Sequence, residues 1–185
     1  MSLLGAAAAT SDSVVALEQM LDARERRAAR QAAALAHFAR PLVSVTVVMP
    51  GPVKDSPLAR RLLVKACHEI ENVVSKKGWP VMSQELSWQA TGPEALLVVD
   101  APPEELKTAM IELEDRHGLG RLWDLDVIAP GPRIFSRKDL GFAPRKCLMC
   151  DLPAAECGRS RRHPLVHLLE AMQAMVDEHD RRTHA

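Results

Sequence analysis

The stretch PLVSVTVVMP, residues 41–50, decides the fold class of this chain. It is rich in β-branched valine and lies between two prolines, a pattern typical of a buried β-strand. The preceding residues 14–38 are rich in alanine, arginine, glutamate and glutamine and are therefore predicted to be helical. A buried strand needs partner strands and covering helices, so the rest of the chain must supply them.

The residues after this strand are predicted to alternate between helices and strands. Ser56 is a favoured N-cap residue, Pro57 suits the first helical position, and Gly78 is a favoured stop, so a helix is predicted between them. The periodicity of the following residues predicts, in order, two strands over 79–100, a helix over 101–118, a strand over 118–127 and a hairpin return over 131–141.

The resulting order β-α-β-β-α-β-β predicts an α+β fold: a mostly antiparallel sheet with helices on one face, in a split βαβ arrangement. An N-terminal helix precedes this unit, and a Cys-rich loop at 145–163 and an amphipathic helix at 164–180 follow it. Residues 1–13 are expected to be a flexible extension, and residues 14–185 a single domain.

The composition argues against several classes of protein. The chain has 24 lysines and arginines and 24 aspartates and glutamates, so no overall charge steers it toward nucleic acid or an anionic membrane, and neither is expected as a partner. No apolar run approaches the roughly 18 residues of a membrane span. The first residues lack the basic segment of a secretory signal, so a cytoplasmic location is expected.

The segment GLGRLWDLDV, residues 118–127, places two carboxylates on one face of a predicted strand. Trp123, Leu125 and Val127 share one face, and Asp124 and Asp126 project from the other. Such a pair is either a solvated surface or a Mg²⁺ site, and the pattern alone favours the solvated surface. Glu112 and Glu114 on the preceding helix favour a metal site if the connecting turn brings one of them near.

Basic residues follow this acidic region. Residues 133–162 contain eight lysines and arginines against three acids, whereas residues 104–126 contain seven acids against three bases. This asymmetry suits a phosphate-bearing substrate that brings a divalent metal, although two ordinary solvated surfaces would give the same composition. Lys54 and Arg60, next to a predicted helix N-terminus, form a second candidate anion site or an ordinary basic loop.

Three of the four cysteines are close together near the C-terminus, in the pattern Cys147-x2-Cys150-x6-Cys157-x5-His163. Thiolates and imidazole are good zinc ligands, and four protein ligands would make the site structural. The alternative is a set of free thiols beside a helix-capping histidine. Cys67, inside the predicted helix after Ser56, is expected to be a core residue.

These motifs together resemble a known family, the apo-citrate lyase phosphoribosyl-dephospho-CoA transferases, also called holo-citrate lyase synthases. The resemblance runs from about residue 24 to the last helix. It rests on PLVSVTVVMPGPVKDS, GPE at 92–94, IELEDRHGLGRLWDLDV, SRKDLG and PRKCLMC…C, which occur in the family's order. The block GRLWDLDV is the most specific part.

The resemblance implies a nucleotidyltransferase. The donor is triphosphoribosyl-dephospho-CoA, the acceptor is a serine of the apo acyl carrier subunit of citrate lyase, and pyrophosphate leaves. On this basis Asp124 and Asp126 are expected to bind Mg²⁺, with Glu112 or Glu114 as an outer ligand or base. The phosphates are expected to contact the cations Lys54, Arg60, Arg121, Arg137 and Arg145.

Other functions are compatible with the same residues. A related enzyme would perform the same chemistry on another acyl carrier, such as that of malonate decarboxylase. A non-catalytic, zinc-stabilised module would instead bind a partner or assist assembly. A zinc-stabilised nucleic-acid-binding module is disfavoured because the chain has zero net charge and few aromatic residues for stacking.

Overall fold

The computed structural model describes residues 14–131 and 133–183, so the predicted extension over residues 1–13 lies outside the described residues. The helices are α1 (Leu17–Phe38), α2 (Pro57–Lys76), α3 (Pro103–Arg116), α4 (Ala154–Ser160) and α5 (Leu165–Thr183). The strands are β1 (Leu42–Val47), β2 (Val81–Ser87), β3 (Glu94–Val99), β4 (Trp123–Ala129) and β5 (Arg133–Phe135). No helix in the described part of the chain is both long and apolar enough to cross a membrane.

The five strands form one antiparallel sheet in the order β2-β3-β1-β4-β5, which confirms the predicted α+β fold. Because β3 is antiparallel to both of its neighbours, β1 and β2 run parallel with β3 between them. By the same argument β3 and β4 run parallel with β1 between them. Helices α2 and α3 make these two crossovers, so two split βαβ units interleave.

Both faces of the central strands are apolar, and each face is covered by different helices. The main core packs one face of the sheet, including Val43 and Val45, against α2 and α3 and against Met172 and Val176 of α5. A smaller cluster on the opposite face packs Leu42 and neighbouring strand residues against α1. The N-terminal helix therefore covers the face that α2 and α3 leave open.

Local details differ from the sequence predictions at three points. The Cys-rich stretch is not entirely irregular, because Ala154 and the residues after Pro153 form the short helix α4. The strand predicted from residue 118 begins only at Trp123, after a single 3-10 turn at Gly120–Leu122. The hairpin return is only three residues long, which leaves part of the β4 edge without a strand partner in residues 14–131 and 133–183.

Gly120 is required by a close backbone approach. A Cβ atom at this position would lie 2.4 Å from the Leu113 carbonyl oxygen and 2.5 Å from the Glu114 carbonyl oxygen at the end of α3. Neither atom belongs to a flexible side chain, so the backbone itself would have to move. Glycine at this position therefore allows β4 to start directly against the last turn of α3.

Replacing Gly120 with alanine is expected to destabilise the fold by about 2–4 kcal/mol, because the clash is with backbone atoms. Urea denaturation followed by circular dichroism measures the change. Gly118→Ala is the matched control, since its Cβ would meet only the His179 side chain at an ordinary 3.4 Å. Equal stability of the two variants would contradict the assigned role of Gly120.

Candidate active site and metal cluster

Two buried side chains of α3 form hydrogen bonds with backbone groups at the unpaired edge of β4. Strand β5 pairs only with residues 127–129, so among the described residues the backbone of Leu125 has no strand partner on that side. Lys107 donates from Nζ to the Leu125 carbonyl oxygen at 2.8 Å, and Glu114 accepts from the Leu125 N–H at 2.8 Å. Both side chains are almost completely buried and take the place of a neighbouring strand.

Glu114 also connects the sheet edge to the segment after β5. Arg137 donates to its second oxygen at 2.6 Å and makes two further hydrogen bonds to Asp115, at 2.9 and 3.0 Å. Burial raises the pKa of Glu114, while the nearby charges of Arg145 and Arg137 and the hydrogen bonds from Arg137 and Leu125 act in the opposite direction. The carboxylate therefore fixes an arginine beside β4.

Asp124 and Asp126 project from the face of β4 opposite the main core, as predicted, and stand opposite Thr46 and Ser44 on β1. Their side chains are 52% and 55% exposed. Partial burial of the Asp126 carboxyl raises its pKa, and the neighbouring negative charge of Asp124 raises it further. The two carboxylates are thus adjacent, accessible and mutually repulsive.

The cations nearest to these aspartates come from outside the strand. Arg145 Nη1 is 3.5 Å from Asp124 Oδ1, and Lys107 Nζ is 3.7 Å from Asp126 Oδ1. Both distances exceed the 2.7–2.9 Å that is usual for a charge-assisted hydrogen bond. Arg145 mainly contacts backbone carbonyl oxygens: it donates to that of Arg121, just before β4, at 2.7 Å and to that of Trp123, the first residue of β4. The carboxylates are therefore only loosely neutralised by the protein.

The aspartates and their neighbouring cations line a cavity of about 430 Å³, which we call the edge cavity. The charged residues that line it include Lys107, Glu114, Asp124, Asp126, Arg137 and Arg145. A smaller cavity of about 360 Å³ shares Glu114, Arg137 and Arg145 with it and adds Arg121. Acidic and basic side chains from α3, β4 and the segment after β5 thus meet at one sheet edge.

In the described part of the chain, three of the predicted catalytic and phosphate-binding residues line neither the edge cavity nor the smaller cavity beside it. Glu112 is exposed and lies 3.7 Å from Arg116 on its own helix. Lys54 donates to the Met49 carbonyl oxygen at 2.5 Å. Arg60 forms a two-point ion pair with the buried carboxylate of Asp55, at 2.7 and 2.8 Å.

Sequence reasoning missed Lys107. The available signal was its spacing from Glu114, because residues seven apart lie on the same side of a helix after two turns. Ile111 between them is fully buried, so this side of α3 faces the protein interior. Two opposite charges on a buried helix face indicate a polar target, which here is the open edge of β4.

Sequence reasoning also missed a polar row across the sheet. Ser87, Glu94, Thr46 and Asp124 are register partners on four neighbouring strands. Glu94 is buried and accepts hydrogen bonds from Arg27 and Arg30 of α1. This ion cluster fixes α1 on the face of the sheet from which the two aspartates project.

Replacing Lys107 with methionine is expected to lower the free energy of unfolding by about 1–3 kcal/mol, because the buried Leu125 carbonyl loses its donor. Thermal and urea denaturation measure the loss. Lys65→Met is the control, since Lys65 makes a more exposed i,i+4 pair with Glu69 that contributes about 0.5 kcal/mol or less. A Lys107→Met protein as stable as the control variant would contradict the bracing role.

The second cluster is formed by Cys147, Cys150, Cys157 and His163, whose candidate ligand atoms all lie within 4.8 Å of one another. Cys150 Sγ is 3.5 Å from Cys157 Sγ and 3.4 Å from His163 Nε2. A tetrahedral zinc ion with Zn–S distances of about 2.3 Å places its sulfur ligands about 3.8 Å apart. The donor set and its spacing therefore fit zinc.

The backbone around Cys147 favours a thiolate. The N–H of Met149 lies 3.5 Å from Cys147 Sγ, and the Cys147 N–H donates to the Leu152 carbonyl oxygen at 2.7 Å. Burial opposes ionisation of Cys147, but the N–H donors of Met149 and Cys150 lower its pKa overall. This tight turn aims the Cys147 and Cys150 sulfurs at a common point.

Comparison with known proteins identifies close similarity along almost the whole chain. The family model described as apo-citrate lyase phosphoribosyl-dephospho-CoA transferase matches residues 15–179. A protein of that name from Shigella flexneri serotype 5b (strain 8401) is 44% identical over 170 residues, covering 92% of this chain and 93% of the relative. One from Escherichia coli O7:K1 (strain IAI39 / ExPEC) is 43% identical with the same coverage.

Proposed function

Because the chain belongs to the apo-citrate lyase phosphoribosyl-dephospho-CoA transferase family and is an enzyme, we propose that it attaches the phosphoribosyl-dephospho-CoA prosthetic group to citrate lyase. The donor is triphosphoribosyl-dephospho-CoA, and the acceptor is a serine hydroxyl of the apo acyl carrier subunit. The serine oxygen forms a bond to the phosphorus nearest the ribose. The bond from that phosphorus to the rest of the triphosphate breaks, and pyrophosphate leaves with the electron pair.

The observation that carries this proposal is the edge cavity, where Asp124 and Asp126 lie beside Arg137 and Arg145. A polyphosphate substrate that enters with a divalent cation needs both kinds of charge at one place. Phosphoryl transfer depends mainly on positioning and on stabilising charge spread over the phosphate oxygens. The edge cavity supplies fixed groups for both tasks.

We assign the two aspartates to Mg²⁺. Their carboxylates share one strand face, remain about half exposed and are only loosely neutralised by the protein, a donor set that suits a hydrated, oxygen-loving cation. When bound, Mg²⁺ would neutralise phosphate charge and favour departure of pyrophosphate. One of the aspartates also accepts a hydrogen bond from the attacking serine hydroxyl, which orients it, and takes up its proton as the bond to phosphorus forms.

The remaining charged groups of the cavity take separate roles. Arg137, Arg145 and Arg121 bind the triphosphate, since all three line the edge cavity or the cavity that adjoins it. Glu114 is a positioning residue, because its two oxygens accept from Leu125 and Arg137. Glu112, Lys54 and Arg60 stay predictions for the metal and phosphate roles, and their contacts lie elsewhere.

The cysteine cluster holds a structural zinc ion. Residues 14–185, which include this cluster, act as one transferase domain. All four cysteines of the chain are unpaired, and three of them contribute to the cluster. Thiolates that are kept for a metal need a reducing compartment, so we infer that the enzyme acts in the cytoplasm.

The test is to incubate the protein with triphosphoribosyl-dephospho-CoA, Mg²⁺ and the apo carrier of citrate lyase, and then to weigh the carrier by mass spectrometry. A mass gain equal to the prosthetic group, with release of pyrophosphate, is expected. No gain would contradict the proposed activity. A malonate decarboxylase carrier in a parallel reaction tests the acceptor, and faster modification of that carrier would overturn the assignment to citrate lyase.

A further inference from the structure

A further cavity, of about 700 Å³, lies between the loop after β1, the Cys-rich segment and the start of α5. We call it the apolar cavity. Most of its wall is apolar, including Val48, Pro50, Pro52, Leu148 and Leu168. Its volume falls within the range of small-molecule sites. The proposed transfer chemistry does not use it, so its occupant needs a separate explanation.

The charge of its lining indicates what kind of molecule fits. Within the described residues, Arg161 is its one lysine or arginine and no carboxylate lines it. Cys147, Cys157 and His163 in its wall are ligands of the proposed zinc site, so we expect the metal to neutralise them. Arg161 is exposed at the end of α4, so its guanidinium is accessible to an anionic group of a bound ligand. The cavity therefore suits a largely uncharged ligand that carries a phosphate.

Residues that line the apolar cavity come close to residues that line the edge cavity at two points. Arg145 lines the edge cavity, and Cys147 lines the apolar cavity. Val48, in the apolar cavity, donates its N–H to the Leu122 carbonyl oxygen at 2.9 Å, two residues before Asp124 of the edge cavity. Residues two apart have Cα atoms separated by at most about 7 Å, so at these points one extended ligand could contact the linings of both cavities.

We propose that the apolar cavity binds the dephospho-CoA end of the donor while the triphosphate occupies the edge cavity. The proposal rests on the proposed function, because the donor is known here only through the family. Dephospho-CoA combines an adenine ring and an uncharged pantetheine arm with a diphosphate, which matches an apolar wall with one exposed arginine. The Cys-rich segment then has a second role, since it forms a wall of the donor site.

Gly158 offers a steric probe of this proposal. It lines the apolar cavity, and a Cβ added there meets no atom of the described residues within 4 Å. Gly158 lies in α4, where leucine and alanine are both better helix formers than glycine. Gly158→Leu is therefore expected to fill part of the cavity without a clash at its own backbone, and Gly158→Ala is the matched control.

The experiment measures binding of dephospho-CoA to the full chain by isothermal titration calorimetry. Gly158→Leu is expected to weaken binding roughly tenfold or more, and Gly158→Ala to stay within about twofold of the unchanged protein. The inhibition constant of inorganic tripolyphosphate for the transfer reaction should be the same in all three proteins, because that probe occupies only the edge cavity. Unchanged dephospho-CoA binding in Gly158→Leu, or no measurable binding to the unchanged protein, would overturn the proposal.

A charge-based pair of variants keeps the proposal testable if Gly158→Leu fails to fold. Arg161→Gln is expected to weaken dephospho-CoA binding by roughly fivefold, the upper end of the effect of one solvent-exposed ion pair. Arg159→Gln, an exposed neighbour outside the cavity lining, should have no effect. Equal affinities of these two variants would overturn the assigned role of Arg161 and, with an unfolded Gly158→Leu, the proposal itself.

The two proposals fail in different ways. If the unchanged protein modifies the carrier but neither cavity variant alters dephospho-CoA binding, only the donor subsite is wrong. If the protein binds dephospho-CoA in the expected way but never modifies the carrier, the proposed function is wrong.

Discussion

Asp126→Asn is expected to abolish transfer of the prosthetic group while the protein stays folded. Asparagine has nearly the same shape as aspartate, and the Asp126 side chain is about half exposed, so packing changes little. The substitution removes one of the two adjacent negative charges assigned to Mg²⁺. Loss of charge stabilisation at a transferring phosphoryl group typically costs about 10²–10³ in rate, and loss of the metal itself would cost more.

The carrier-mass assay, followed over time at several Mg²⁺ concentrations, measures this effect. Thermal unfolding by circular dichroism should show little change. Asp151→Asn is the matched control, because Asp151 is 94% exposed, pairs with Lys146 and lies outside the edge cavity. An Asp126→Asn enzyme with ordinary activity and ordinary Mg²⁺ dependence would remove the metal role.

The positions of Asp124 and Asp126 were predictable from sequence because they depend on local geometry. Strand side chains alternate between faces, so the apolar Trp123, Leu125 and Val127 determined where the aspartates project. The order of helices and strands likewise predicted the α+β class, since hydrophobic periodicity and helix caps are local signals. These parts of the prediction needed no knowledge of distant contacts.

The partners of β4 were not predictable in the same way. Lys107 and Glu114 are 18 and 11 residues from Leu125 in sequence, and their hydrogen bonds exist only because β5 is too short to cover this edge. A three-residue strand gives almost no periodic signal, so the open edge could not be foreseen. The pairing of Glu94 with Arg27 of α1 depends on which sheet face that helix covers, which the sequence left undetermined.

The cysteine cluster falls between these cases. The ligand types and the Cys-x2-Cys spacing were visible in the sequence, but the irregular gaps before Cys157 and His163 gave no proof that all four side chains meet. The short helix α4 brings the four side chains together, because it carries Cys157 and ends shortly before His163. A seven-residue helix is too short to fold alone and depends on its tertiary contacts.

Cys150→Ser is therefore expected to abolish stoichiometric zinc binding and to destabilise the Cys-rich segment by several kcal/mol. The sulfur of Cys150 is close to both Cys157 Sγ and His163 Nε2. Its loss therefore removes the ligand that lies between two of the others and leaves the zinc coordination incomplete. Structural zinc sites contribute their binding free energy to folding, on the order of 10 kcal/mol in isolated zinc-binding peptides. Part of that contribution should be lost here.

Zinc content by inductively coupled plasma mass spectrometry and hydrogen exchange of residues 145–163 measure the two effects. Cys67→Ala is the matched control: Cys67 is a buried core residue of α2, so its loss should cost packing energy but leave the zinc content unchanged. A chelator should reproduce the exchange pattern of Cys150→Ser in the unchanged protein and have no further effect on the variant. Full zinc content in Cys150→Ser, or rapid exchange confined to α2, would contradict a structural zinc site, because the metal is expected to stabilise the loop that holds its ligands.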